Sequence, residues 1–356
     1  MYKRLSQNKQ ELDALYQKGL QRGYSIGWDW NLLPMTIKRG STSYYAAPPH
    51  AGKTEFWFEV LINLSCLHGL KHLIFSPETG DSANIYAELC AKYQGKNYFG
   101  LNKMTETERI MAEMFIDEHF IVVDPKDKDL SIEDYYKLAD QIENETGVIF
   151  DTTTIDPMNE LKEDFKPEDL GREDKYLSRI LGYCRKNAAQ KNRHNCLITH
   201  VRDQPIKEED GIRYSPMPTA REIAGGQVWF RKGMLMGLVW RPPFGLLDHL
   251  GQPYKENQTV LRIAKSKPKG VSKNGIYNLY YDVERRNFYM IGENGTHIYA
   301  DRGEHSKVNK VQPQSAITPN LDFDNPMTGT AKAGELELTA EDIARFEAEE
   351  KENFPF

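Results

Sequence analysis

Residues 44–57 restrict this chain more than any other stretch. They read YYAAPPHAGKTEFW. A short apolar run at 44–47 enters a loop of small residues and prolines. From Gly52-Lys53-Thr54 the chain turns into the apolar segment 56–64. That order is strand, loop, helix start. Such a loop cradles phosphate, because its backbone N–H groups and those of the helix N-terminus converge on one anion. The Lys reaches the outer phosphates and the Thr hydroxyl sits on a magnesium ion. Ala47, Pro48, Pro49, His50, Ala51, Gly52, Lys53 and Thr54 are therefore the candidate nucleotide-binding residues. Ala47 stands where a first glycine is usual, and two prolines stiffen the loop.

A chain of 356 residues with 39% hydrophobic and 28% charged residues can bury one large α/β core. It has no apolar run near 18 residues and no signal-peptide layout, which predicts a soluble, non-secreted protein. Cys66, Cys90, Cys184 and Cys196 lack metal-ligand spacing and read as reduced, mostly buried thiols. The net charge of −6 is concentrated at the end: residues 334–356 carry eight acids and two bases, and the rest carries 44 of each sign. A neutral body can still present a local basic surface.

In chain order, residues 5–22 have helical periodicity, with Leu5, Leu12, Leu15, Tyr16 and Leu20 on one stripe. The stripe packs either on its own domain or on a neighbouring subunit. Strand patterns follow the 44–57 element at 72–76, 120–124 and 196–200, with an apolar run at 148–150, separated by helical patterns near 82–93, 105–119, 131–145 and 175–191. This alternation predicts a mostly parallel sheet with helices on both faces. Residues 201–219 read as a long loop. Strands at 234–241, 259–264, 276–283 and 287–291 extend the same sheet. Residues 303–333 read as a flexible linker. The expected divisions are 1–25 as a linker helix, 26–302 as one domain and 303–356 as linker and acidic tail.

A nucleotide-hydrolysing site needs further groups at neighbouring strand ends. Asp151 and Asp156 both follow the run 148–150 and both qualify as the acid that holds the magnesium shell. Glu78 follows the next strand and is placed to activate a water. His200 ends CLITH and can sense a terminal phosphate. The basic turn with Arg262, Lys265, Lys267 and Lys269 could reach a nucleotide across a subunit interface, as an arginine finger does.

Taken together, these segments resemble the RecA-like motor domain of DnaB/Twinkle-type hexameric replicative helicases, in particular phage members. The resemblance covers roughly residues 10–292 and rests on KGLQRGYSIGW, AAPPHAGKTEFWFE, LIFSPE, IDPMNEL, LITHVRDQP, PTAREIAGGQVWFRKG and AKSKPKG followed by LYYDVERRNFY. It implies an α/β fold with a P-loop NTPase core. It also implies an ATP- and Mg²⁺-dependent DNA helicase that forms a ring, a hexamer as in the family, and translocates on single-stranded DNA. Residue by residue, it implies Lys53 and Thr54 on phosphate and Mg²⁺, Asp156 as the second metal ligand, and Glu78 as catalytic base. His200 becomes the γ-phosphate sensor, with Lys265 and Lys267 acting in trans; Lys267 stands where the family commonly has Arg.

The matching DNA loops are 161–174 and 202–219, whose basic residues include Lys162, Lys166, Arg172, Arg202, Lys207 and Arg213. No primase module precedes the motor, which implies a helicase-only protein in the cytoplasm, the host's if phage-encoded. The acidic tail ending Phe354-Pro355-Phe356 is similar to the tips of single-stranded-DNA-binding proteins, and implies docking on polymerase, primase or a single-strand binder. Two rival readings are a RecA-like recombinase or mediator that does not unwind, and an inactive scaffold recruiting replication proteins through its tail.

Overall fold

The computed structural model describes residues 2, 4–20, 22–124 and 130–305. Its elements, in order, begin with α1 (Lys9–Lys18), β1 (Tyr24–Ser25), β2 (Thr36–Ile37), β3 (Thr42–Ala47), α2 (Lys53–His68) and β4 (His72–Phe75). Next come α3 (Ser82–Gln94), α4 (Glu106–His119), β5 (Phe120–Val122), α5 (Ile132–Thr146), β6 (Thr152–Ile155), α6 (Glu173–Lys191) and β7 (His194–His200). The chain continues through β8 (Lys207–Glu209), β9 (Ile212–Tyr214), α7 (Gly226–Lys232), β10 (Leu235–Trp240), β11 (Gln258–Ser266), β12 (Gly275–Asp282), β13 (Asn287–Ile291) and β14 (His297–Tyr299).

Ten strands form one sheet in the order β14-β13-β12-β11-β10-β3-β7-β6-β4-β5. The six from β10 to β5 are parallel, and β11 to β14 extend the sheet antiparallel. Two apolar cores lie on its two faces. One is built on α2, α3 and α4, the other on α5, α6 and α7. The expected sheet with both faces covered is present, and the late strands join it.

The helix ends follow local chemistry. Thr105 and Ser131 cap α4 and α5, accepting from the backbone N–H of Glu108 and Asp134. Helix α2 is apolar almost all round and is correspondingly buried, from Phe56 through Ser65 without a break. Gly69, at φ 63°, ends it.

Two expectations are revised, and one left open is narrowed. The apolar run at 148–150 is not itself a strand; the strand follows it as β6, whose residues are Thr-Thr-Thr-Ile. Its hydroxyls are buried but bonded: Thr152 to His72 at 2.7 Å, Thr153 to Asn195 at 2.8 Å, and Thr154 to Trp57 Nε1 at 2.8 Å. Buried polar groups are tolerated when each finds a partner. The loop at 201–219 contains a hairpin, β8–β9, turning at Asp210 and Gly211 with φ of 51° and 79°. Helix α1 buries no residue, so its stripe is uncovered by the described residues of its own chain. The linker and tail beyond His305 lie outside the described residues. No helix among those described is long and apolar enough to cross a membrane.

A second polar layer fixes α2 from its other side. Lys92, fully buried, pairs with Glu55 at 2.6 Å and donates to the Arg286 carbonyl. Glu59 accepts the Phe288 N–H at 2.7 Å. Arg302 bonds Asn63, and Asn63 donates to the Ile26 carbonyl, so both ends of the domain clamp on one α2 side chain.

Burial pushes the Glu59 carboxyl up to about 7, against the pull of Lys92 and Arg302. The folded protein then holds a proton there that the unfolded chain has released, so this group lowers stability as pH rises from about 4.5 to about 7. Glu59→Gln retains an acceptor for Phe288 and removes the titration. Thermal melts of this variant are expected to lose less stability across that window than the parent; parallel pH profiles would contradict the assignment.

Candidate active site

The site forms where parallel strands end on one edge of the sheet. Ala47 closes β3 in extended conformation, paired with His200 of β7. It is fully buried, and its φ is not positive. An alanine therefore fits where a glycine was expected. The left-handed positions come later, at His50 (φ 59°) and Gly52 (φ 88°). Pro48 and Pro49 have no N–H, so the backbone donors available to an anion begin at His50. A Cβ at Gly52 would lie 3.8 Å from Thr259 Oγ1 and 3.9 Å from the Phe288 ring, so the loop packs closely against β11 and β13.

Four other side chains meet Lys53. Thr54 Oγ1 donates to Asp156 Oδ2 at 2.5 Å. Lys53 Nζ donates to Glu78 Oε2 at 3.4 Å, and His200 Nε2 to Glu78 Oε1 at 2.7 Å. A carboxylate only accepts, so the proton of that last bond lies on Nε2. Asp156 follows β6 directly, and Glu78 lies in a 3₁₀ turn after β4.

The electrostatics separate the two acids. Burial raises the Asp156 carboxyl, and the Lys53 charge with the Thr54 bond only partly opposes it. For Glu78, partial burial also raises the carboxyl, but the His200 bond and the Lys53 charge more than reverse this. Its net position is below the ordinary carboxylate range. At 41% side-chain exposure, Glu78 remains accessible to water.

Asp156 is only 1% exposed, and its Oδ1 has no hydrogen-bond partner among the described residues. With the Thr54 hydroxyl beside it, this donor set fits Mg²⁺, which takes one or two protein oxygens and fills the remainder with water and phosphate. Among the described residues no group of three or more His, Cys, Asp or Glu side chains is arranged as a self-contained metal site.

Asp151 stands at the other end of β6. It accepts from the Lys71 N–H at 2.9 Å and pairs with Arg39. It belongs to the opposite edge of the sheet, which leaves Asp156 as the acid beside the loop.

No family profile and no curated protein matches the chain. Among solved structures, the ATPase domain of G40P superposes with a TM-score of 0.59 at 16% identity, over 79% of this chain and 97% of that one. A DnaB-like replicative helicase, described together with its interactions with primase, superposes at 0.61 and 17% identity, over 80% and 68%. The chain has a RecA-like fold. At such identity the likeness speaks for the fold, and the site residues stand on their geometry.

Within this RecA-like fold the basic turn after β11 lies far from its own loop. Lys265 pairs in register with Met236, and Met236 with Tyr44, near the start of β3. At the usual rise per strand residue the turn is on the order of 15 Å from the phosphate loop. Lys265 is turned inward: its Nζ donates to the Phe230 and Arg231 carbonyls at the end of α7. Burial, with the nearby Lys267 and Arg185 charges, lowers its pKa. The expectation that both lysines project from the turn is corrected, since only Lys267 of the two is exposed.

The expected DNA-contacting cations also divide. Lys166 pairs with Glu133 at 2.5 Å, and Arg172 with Asp174 at 2.9 Å. Lys162, Lys207 and Arg213 are exposed, the last two on the β8–β9 hairpin.

The two aspartates separate by experiment. Asp151→Ala is expected to lower stability by about 1–3 kcal/mol, the usual loss for hydrogen bonds to a charged group, without weakening nucleotide binding. Asp156→Ala is expected to abolish the Mg²⁺ dependence of nucleotide binding. Calorimetric melts and a fluorescent-nucleotide titration with and without Mg²⁺ read both; the reverse pattern would reverse the assignment.

Proposed function

We infer that this protein is an ATP-hydrolysing motor of the ring-forming helicase type, which translocates on single-stranded DNA. The observation that carries the reading is the convergence of Lys53, Thr54, Asp156, Glu78 and His200 on one edge of adjacent parallel strands. ATP would bind with its phosphates on the N–H groups from His50 to Thr54. Mg²⁺, held through Thr54 and Asp156, would offset the charge on the β- and γ-phosphates. Glu78 accepts a proton from the attacking water as its oxygen bonds to the γ-phosphorus and the bond to the ADP oxygen breaks.

Lys267 is the group proposed to act in trans. Its distance from its own loop means that it meets a nucleotide only on another copy, which supports an intersubunit site. As a lysine it offers a point charge in place of a guanidinium fork. The exposed Lys162, Lys207 and Arg213 are the proposed DNA contacts, with backbone N–H groups sharing the phosphates.

Helix α1 supports assembly. Leu12, Leu15 and Tyr16 are exposed on it. On α4, Ile110, Met111 and Met114 are likewise exposed, beside a cavity of about 400 Å³ lined in part by Cys90, Glu113 and Asp117. Residues 1–22 carry Lys3, Arg4, Lys9, Lys18 and Arg22 against Glu11 and Asp13. Helix α1 itself is neutral, with Lys9 and Lys18 against Glu11 and Asp13, and the basic excess lies in its flanks. We assign the exposed apolar stripe of α1 of one copy to the exposed apolar face of α4 of the next, with the flanking cations toward Glu113 and Asp117. The acidic tail remains a proposed docking segment for replication proteins.

Two measurements check the reading. Lys53→Ala is expected to abolish ATP turnover, and Glu78→Gln to reduce kcat by about 10²–10⁴-fold while ATP still binds. Unchanged turnover in either variant would remove that residue from its role. Deleting residues 1–20 is expected to reduce the assembly's mass by light scattering, and an intact assembly would refute the docking of α1.

A further inference from the structure

Glu78 is the group on which hydrolysis depends, and both of its oxygens are already engaged by neighbours in the site. His200 holds Oε1 and Lys53 holds Oε2. A carboxylate restrained by two cationic or polarised donors is a weak acceptor for a proton from water. The same two donors are the ones that a γ-phosphate recruits, since a lysine and a strand-end donor are what stabilise a terminal phosphate. One set of donors therefore serves two anions.

The two holds differ in kind. Lys53 begins α2, and its chain is buried. His200 ends β7, and its other ring nitrogen, Nδ1, has no partner among the described residues. The imidazole is tied to the protein by a single side-chain bond, to Glu78, so it can turn away without breaking a second one. Beyond it, Val201 bridges Ile223 and the Arg202 N–H bonds the Glu222 carbonyl, which ties the ring's position to the two ends of the segment that carries the β8–β9 hairpin.

We propose that His200 is a latch on Glu78, holding the carboxylate until the γ-phosphate of a bound nucleotide takes over the imidazole N–H and frees Glu78 to accept a proton from water. This rests on the ATPase reading above and adds regulation of the same site. The latch makes water activation conditional on a third phosphate: a diphosphate leaves Glu78 restrained. The charged and titratable groups that face Glu78 are Lys53 from α2, His200 from β7 and Asp156 just after β6. His200 acts here as a positioning residue for Glu78.

The test follows the Glu78 carboxyl directly, by ¹³C NMR of the full chain labelled at glutamate, with the signal assigned through Glu78→Gln. In the wild type the carboxyl is expected to titrate below the ordinary range. In His200→Ala it is expected to move up by roughly one pH unit, the size of shift that a lost hydrogen bond to a charged group produces. His200→Gln, whose amide still donates, is expected to stay near the wild type. Saturating β,γ-imido-ATP with Mg²⁺ is expected to move the wild-type signal upward, and ADP is not. Coincident titrations of wild type and His200→Ala, or a signal unmoved by the imido analogue, would overturn the latch. Hydrolysis by Glu78→Gln reports separately on the reading beneath it: full loss with an unmoved titration sinks the latch alone, and retained turnover sinks the base assignment.

Discussion

The hydrogen bond from Thr54 to Asp156 joins the first turn of α2 to the end of a strand about a hundred residues later. It forms only because β3 and β6 run parallel and end on the same edge. That arrangement in turn requires every connection between them to cross back over a sheet face. From β3 the chain passes through α2 to β4, skipping two positions that β7 and β6 later fill. A strand whose outgoing helix passes over two neighbours opens a crevice at its C-terminal end, the usual place for a ligand in an open parallel sheet. Lys53, Glu78, Asp156 and His200 reach that crevice from four separate elements.

Holding α2 in place requires polar groups inside the core, and each is matched. On one side Trp57 donates to Thr154. On the other, Glu55 and Glu59 face Lys92 and Arg302. Buried ion pairs contribute little net stability, yet removing one partner is strongly destabilising because the other charge is left alone. The effect is to fix one position of the helix rather than to deepen the energy well. That suits a loop whose N–H groups must be aligned before a ligand arrives.

Much of this was legible in the residue pattern. The strand-loop-helix at 44–57 and the alternation that makes the parallel sheet both rest on local chemistry, and local chemistry is what a sequence displays. What escaped it was decided by partners distant in the chain. The strand β6 looks too polar to be buried until His72, Asn195 and Trp57 are placed beside its threonines. Choosing between Asp151 and Asp156 needed the direction of that strand. Lys265 reads as a projecting cation, but carbonyls at the end of α7 turn it inward. The Asp210-Gly211 pair was the available signal for the β8–β9 hairpin. For α1 the pattern shows a stripe, and only the fold reveals that nothing among the described residues of its own chain covers it.

In the function proposed above, the site is one side of a larger one, with Lys267, which lies away from its own phosphate loop, supplied by a neighbouring copy. Mixing two inactive variants tests this most directly. Lys53→Ala lacks the near side and Lys267→Ala the far side, so each alone is expected to hydrolyse no ATP above background. Co-assembled in equal amounts, they recreate intact interfaces wherever a Lys267→Ala loop meets a Lys53→Ala turn, about one quarter of head-to-tail contacts. The account predicts that activity returns on mixing to about that fraction. Full activity in Lys267→Ala alone, or none in the mixture despite verified co-assembly, would contradict an active site shared between copies.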